Sequence, residues 1–146
     1  MNAPRQLQLG PDELTRLLAN EFPQNFTGQG ALAIEVAAPM VARVRLPYAE
    51  RHLRPGGTIS GPSMFGLADS ALYVAILATI GWVPLAVTTN LTINFLSKPG
   101  QRDLIAECRL IKLGKSLAVG EVYLRSDGDA TVVAHATGTY SIPPRR

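Results

Sequence analysis

The stretch from Thr58 to Ile80 constrains this chain more than any other. From Ser63 onward its residues are apolar or small on every side, the pattern of a helix enclosed by other structure. Ser60 stands where an N-cap belongs, and Pro62 suits the first helical turn, where its missing N–H is not needed. Gly81 supplies the stop. One charge sits inside this run, Asp69. Taking an unpaired carboxylate out of water is costly, so this acid needs either a partner or a chemical task.

The flanking sequence supplies what could enclose such a helix. Pro11 opens a shorter helix with Asp12 and Glu13 at its positive end, and Leu14, Leu17, Leu18 and Phe22 form its apolar stripe. Gln24–Gln29 reads as a loop. Ala31–Ala38 and Met40–Leu46 read as two strands around the Ala38–Pro39 turn, and Tyr48–Gly57 as a loop entering the long helix. After Pro84 the period changes to two. Leu85, Val87, Thr89, Leu91, Ile93 and Phe95 fall on one face, against Ala86, Thr88, Asn90, Thr92 and Asn94 on the other. That second face is polar but uncharged, as suits a covered or shared surface. Leu104–Leu113, Leu117–Arg125 and Val132–Tyr140 complete the strands, with Asp127–Gly128 as a hairpin turn whose two positions favour positive φ. The expected class is α+β, an antiparallel sheet wrapped around one helix.

Composition narrows the function. The 146 residues fit one domain, 1–146, with a core of about 31–142 and flexible ends at 1–10 and 143–146. Apolar content of 47% and charge of 17% indicate a globular chain. Asp69, Gly81 and Pro84 interrupt the one candidate membrane span, Met64–Val87, and residues 1–10 lack a signal-peptide layout, so no membrane partner and a cytoplasmic location are expected. Scattered basic residues and 6% aromatics argue against nucleic acid. The lone Cys108 shares a strand face with Leu104, Ala106 and Leu110 and reads as core. His52 and His135 have no metal-ligand spacing, so no metal is expected.

Several words then carry a resemblance: His52-Leu53-Arg54-Pro55-Gly56, Gly66-Leu67-Ala68-Asp69-Ser70-Ala71, Val87-Thr88-Thr89-Asn90-Leu91, Asn94-Phe95-Leu96-Ser97-Lys98-Pro99 and Ala136-Thr137-Gly138-Thr139-Tyr140. With their order, the chain resembles the hotdog fold and, within it, the PaaI-like acyl-CoA thioesterases, over roughly residues 31–142. In that family a His-Gly-Gly opens the helix and an acid follows nine positions after the His. Aligned on Asp69, Ser60 falls at the His, Gly61 and Pro62 at the two glycines, and Arg54 at an Asn or Gln that orients the thioester or a water.

The resemblance implies a thioester hydrolase in which Asp69 is nucleophile or general base and the Gly61 amide, at the helix N-terminus, binds the oxyanion. It also places the site between two subunits of a homodimer or homotetramer (a dimer of dimers), with Gly61 and Asp69 from different chains. Ser60 either replaces the family histidine or only caps the helix. Arg54 could contact a thioester oxygen, a ligand carboxylate or Asp69 itself. Phe65, Leu72 and Tyr73 suggest a medium-chain or aromatic acyl group. Pro62, Thr88, Asn90, Lys98 and Lys115 join Phe65 and Tyr73 as candidate substrate contacts, the lysines toward the nucleotide end of CoA. Lys98, Arg102, Lys112 and Lys115 flank loops near that end, though each taken singly reads first as ordinary surface charge. No cofactor is implied beyond coenzyme A as part of the substrate. The alternative is a non-catalytic acyl-CoA-binding protein of the same fold. Gly61-Pro62-Ser63-Met64-Phe65 lacks the last glycine of a serine-hydrolase elbow.

Overall fold

The long helix is the axis of the structure, a computed structural model that describes residues 6–144. Helix α1 spans Pro11–Glu21, α2 Pro23–Phe26 and α3 Gly61–Ile80; the strands are β1 Ala33–Ala38, β2 Val41–Leu46, β3 Val87–Phe95, β4 Leu104–Leu113, β5 Leu117–Ser126 and β6 Val132–Ser141. All strand pairs are antiparallel, in the order β1-β2-β4-β5-β6-β3, so β1 and β3 are the edges. The α+β hotdog architecture expected from the sequence is the one observed.

Helix α3 begins and ends for the reasons its sequence supplies. Ser60 Oγ accepts from the Ser63 amide, Pro62 occupies the first turn, and Gly81 takes φ 94° while its N–H donates to Leu77 O. From Leu67 to Ala78 most side chains are buried against the inner sheet face, where Val44, Leu104, Ala106, Val122, Leu124, Ala134 and Ala136 are also buried. Gly120 and Gly138 face each other across β5 and β6. A Cβ at either position would stand 2.6 or 2.5 Å from a methyl of Leu72, so their bareness sets how closely α3 approaches the sheet.

The helix is not enclosed on every side, contrary to the sequence reading. Pro62, Phe65 and Gly66 are exposed and Asp69 and Tyr73 half-buried, forming one open stripe along α3. Two other expectations are corrected, at residues 23–26 and 127–128. Residues 23–26 form the short helix α2, started by Pro23 and packed by the edge-on Phe22 and Phe26 rings at 6.0 Å, so only 27–32 is loop. The ends 1–5 and 145–146 lie outside the described residues, but Gln8 and Leu9 are tied down by amides donating to Ala78 O. At Asp127–Gly128 only Gly128 takes positive φ; Asp129 N donates to Ser126 O across this turn, but β6 begins only at Val132, so the turn sits inside a longer hairpin loop.

The outer sheet face is held by charge. The Arg45 guanidinium reaches Glu35, Asp103 and Asp127 at 2.7, 3.0 and 2.8 Å, joining edge strand β1 to the loops around β4 and β5.

Candidate active site

Strand β3 carries an irregularity that creates the site. Its register on β6 shifts between Thr88 and Asn90, so the alternation slips by one residue at Thr89. Thr88, opposite Tyr140, faces the helix; beyond the bulge Leu91 and Ile93, opposite Gly138 and Ala136, do so instead. Strict alternation had put Thr88 with Asn90, and the structure separates them. Asn90 pairs with Thr139 on the outer face and is exposed.

The bulge delivers Thr88 to Asp69. Thr88 Oγ1 donates to Asp69 Oδ1 at 2.6 Å, and the Tyr140 hydroxyl lies 2.7 Å from the same oxygen and 3.0 Å from the Asp69 backbone carbonyl. Neither residue is ionised in this role, so the acid is held by hydrogen bonds and not by a counter-charge. Among the described residues Arg54 forms no ion pair with Asp69, which removes that reading of Arg54. Burial and then the neighbouring Asp69 charge push the Tyr140 phenol well above its ordinary range, and burial does the same for Tyr73. The Tyr73 ring stacks on Tyr140 at 6.1 Å, and its hydroxyl donates to Pro84 O.

Asp69 opens into a cleft of about 350 Å³. Its walls mix apolar surface from Leu18, Phe22, Tyr73, Ala86 and Val87 with polar groups of Glu21, Asn25, Ser70 and Thr88. Leu72 is absent from it; only 1% exposed, that side chain is spent against Gly120 and Gly138, which corrects its expected place beside the acyl group. The N-terminal helices α1 and α2 thus wall the cleft, a contribution the sequence reading did not assign.

Gly61 belongs to a second cleft, of about 410 Å³, with Arg54, Thr58, Met64, Phe95 and Lys98. As the first residue of α3, Gly61 has an amide with no intrahelical acceptor, and none is found elsewhere among the described residues. The Phe95 ring lies over it, 3.3 Å from where a Cβ would stand. Ser60 borders this point, but its hydroxyl accepts from Ser63 N at 3.3 Å and donates to Ser63 Oγ at 2.9 Å, so it serves the cap. Pro62 lines a third, smaller cleft with Arg51 and His52. His52 holds the approach to the helix through its carbonyl, which accepts from Ser60 N; burial and then Arg51 lower its pKa.

The structure therefore gathers Asp69, Tyr73 and Thr88 in one place and Gly61, Arg54 and Lys98 in another. Phe65 lies between them on the open stripe, 39% exposed. Lys115 sits beside Thr79 and Ile80, at the far end of α3 from Gly61. Arg102 is engaged locally, with Asp129 and the Asp127 carbonyl. Tyr140 is the site residue that sequence reasoning missed. Its even spacing from Ala136 and Gly138 on a strand placed it toward the helix, and a buried phenol needs a partner there.

Comparison with known proteins agrees with this fold. The Thioesterase superfamily profile matches residues 56–133. A protein of Saccharolobus solfataricus named "Putative esterase" is 31% identical over 134 residues, covering 92% of this chain and 86% of its own. A crystal structure from Silicibacter sp. TM1040, named a "putative thioesterase", is 48% identical and superposes with a TM-score of 0.87 over 97% of this chain and 96% of the other. A mutant of the phenylacetic acid degradation protein PaaI from Thermus thermophilus is 26% identical, with a TM-score of 0.68 over 77% of this chain and 93% of its own. With the single acid of α3, its wrapped sheet and these relatives, the chain belongs to the thioesterase superfamily of hotdog proteins.

Proposed function

We propose that this protein hydrolyses the thioester of an acyl-CoA carrying a medium-chain or aromatic acyl group, giving the free acid and CoA. The observation that carries the reading is the carboxylate of Asp69, which lines a cleft of mixed apolar and polar walls and, among the described residues, is hydrogen-bonded through Oδ1 only. As general base, Asp69 takes a proton from water while the water oxygen bonds to the thioester carbon. The carbonyl oxygen becomes the oxyanion, held by the Gly61 amide and the positive end of α3. Collapse breaks the C–S bond, and the thiolate takes back the proton from Asp69. Direct attack by Asp69 would instead give a mixed anhydride that water then cleaves, with the same balance. A donor such as the Gly61 amide is worth about 2.7–4 kcal/mol of transition-state stabilisation.

One copy of the chain does not complete this site. Gly61 and Asp69 are eight residues apart on α3, a rise of about 12 Å. Reacting groups must come within about 3–3.5 Å, so the two cannot serve one carbonyl in the same chain. A second copy reversed alongside the first would set its Gly61 against this Asp69. Two features favour such pairing: the open stripe on α3, and edge strand β3, which carries no charged residue or proline to blunt its free side. The assembly is a homodimer or a dimer of dimers. Phe65 and Tyr73 then face the acyl group, and Arg54 and Lys98, beside Gly61, meet thioester or phosphate oxygens. Asn90 lies on the paired edge.

A second reading has one observation in its favour. Ser60 is spent on the helix cap, so the position of the family histidine contributes no free side-chain donor. A non-catalytic acyl-CoA binder would look the same. Thiol release from a panel of acyl-CoAs separates the two: hydrolysis that falls by at least about a hundredfold in Asp69→Asn supports the enzyme. Tight binding of intact esters without turnover supports the binder and refutes the hydrolase.

A further inference from the structure

The donors around Asp69 are distributed unevenly. Thr88 Oγ1 and the Tyr140 hydroxyl both lie on Oδ1, at 2.6 and 2.7 Å, and no donor among the described residues reaches Oδ2. Tyr140 also lies 3.0 Å from the Asp69 backbone carbonyl. The single phenolic hydroxyl therefore lies against both the carboxylate and the backbone carbonyl of Asp69, which holds Oδ1 in a fixed place relative to the helix backbone. The phenol itself has little freedom. It is 4% exposed, its ring stacks on Tyr73, and Tyr73 is tied in turn to Pro84 O.

We propose that Tyr140, on β6, is a positioning residue: with Thr88 it pins Oδ1 and so leaves Oδ2 as the oxygen that takes the proton from water or attacks the thioester carbon. The inference rests on the thioesterase reading of Asp69 and goes beyond it by selecting one oxygen and the residue responsible. The phenol stays protonated while Asp69 is charged, because its own burial and the nearby carboxylate both disfavour its ionisation. It is therefore a donor throughout the cycle. A freely turning carboxylate would present either oxygen, and would meet the water or carbonyl in the reactive orientation for a smaller share of the time. The effect belongs to the chemical step and not to substrate binding.

The test compares steady-state kinetics of wild type, Asp69→Asn, Tyr140→Phe, Thr88→Val and Thr88→Ser on one acyl-CoA, with melting temperatures measured in parallel. Phe keeps the ring and its stacking and removes only the hydroxyl. Tyr140→Phe is expected to lower kcat roughly tenfold to a hundredfold with KM changed by less than about twofold. Thr88→Val, which carries the test if the buried Phe variant does not fold, should fall in the same way, and Thr88→Ser should recover. Hydrolysis abolished by Asp69→Asn but retained in full by Tyr140→Phe overturns the positioning role alone. So does a loss confined to KM. A wild type that hydrolyses no acyl-CoA overturns the thioesterase reading and this role with it.

Discussion

Gly138→Ala is the sharpest test of how the sheet and helix hold the site. The added carbon would stand 2.5 Å from Leu72 Cδ1, 3.3 Å from Leu91 Cδ1 and 3.4 Å from Asn90 O. Carbon atoms rest at about 3.5–4.0 Å, so something must yield by roughly 1 Å. Leu72 cannot simply turn away. It is 1% exposed, and its other methyl already faces Gly120, where a Cβ would stand 2.6 Å off. The backbone at Gly138 is not in the left-handed region, so Ala suffers no strain there and gains about 0.5–1 kcal/mol over Gly in a strand. Overpacking costs about 1–3 kcal/mol and wins. The net loss should be about 1–2 kcal/mol, read as a fall in melting temperature of roughly 2–8 °C for a chain of this size.

The displacement should also reach the site. Leu72 is one helical turn beyond Asp69, and Gly138 is two residues before Tyr140. Pushing α3 off β6 lengthens the 2.7 Å contact between Tyr140 and Asp69, so kcat should fall along with stability. Urea unfolding followed by circular dichroism gives the first quantity and thiol release the second. Combining Gly138→Ala with Leu72→Val should cost less than the two changes added together, since the smaller side chain vacates the crowded volume. A Gly138→Ala protein as stable as wild type would refute the argument that the bare glycine pair sets the helix–sheet distance.

Two further outcomes are expected. Refolding a mixture of Asp69→Asn and Gly61→Pro chains, each inactive alone, should restore about a quarter of wild-type turnover, because half the dimers are mixed and each carries one intact site; a mixture that stays inactive would place both groups in one chain. Stability should fall as pH rises above the ordinary thiol value of 9.0, because burial and then Glu121 push Cys108 up to about 12 and the Tyr140 phenol is raised as well, so the folded chain keeps protons that the unfolded chain releases. Urea titrations across the alkaline range should show that fall flattened in Cys108→Ala, and parallel curves would refute the assignment.

The fold was legible because its signals were periodic or chemical. An apolar run with a serine cap and a glycine stop reads as a core helix, and the alternating segments after it can wrap it. The lone acid was equally plain, since burial makes any charge conspicuous. What escaped was whatever depends on a partner far along the chain. Leu72 looked like pocket lining until Gly120 and Gly138, distant in sequence, were seen to claim it. The polar stretch Gln24–Gln29 gave no helical period, yet Pro23 and the Phe22–Phe26 contact are enough to wind one turn. The open stripe on α3 escaped too, because small residues such as Gly66 read alike whether they are buried or bare.

The bulge at Thr89 shows why the site was harder to read than the fold. Alternation predicts a face only while the register holds, and one extra residue exchanges the faces beyond it. The apolar set Leu91, Ile93 and Phe95 was placed correctly, because it lies on one side of the bulge and makes up most of the strand's inward surface. Thr88 lies on the other side. A regular strand that kept Leu91 inward would turn Thr88 outward, and Asp69 would lose its 2.6 Å donor. A regular strand that kept Thr88 inward would turn Leu91 and Ile93 into solvent. The bulge satisfies both demands, so the packing of β3 on the helix and the hydrogen bonding of Asp69 are solved by the same extra residue.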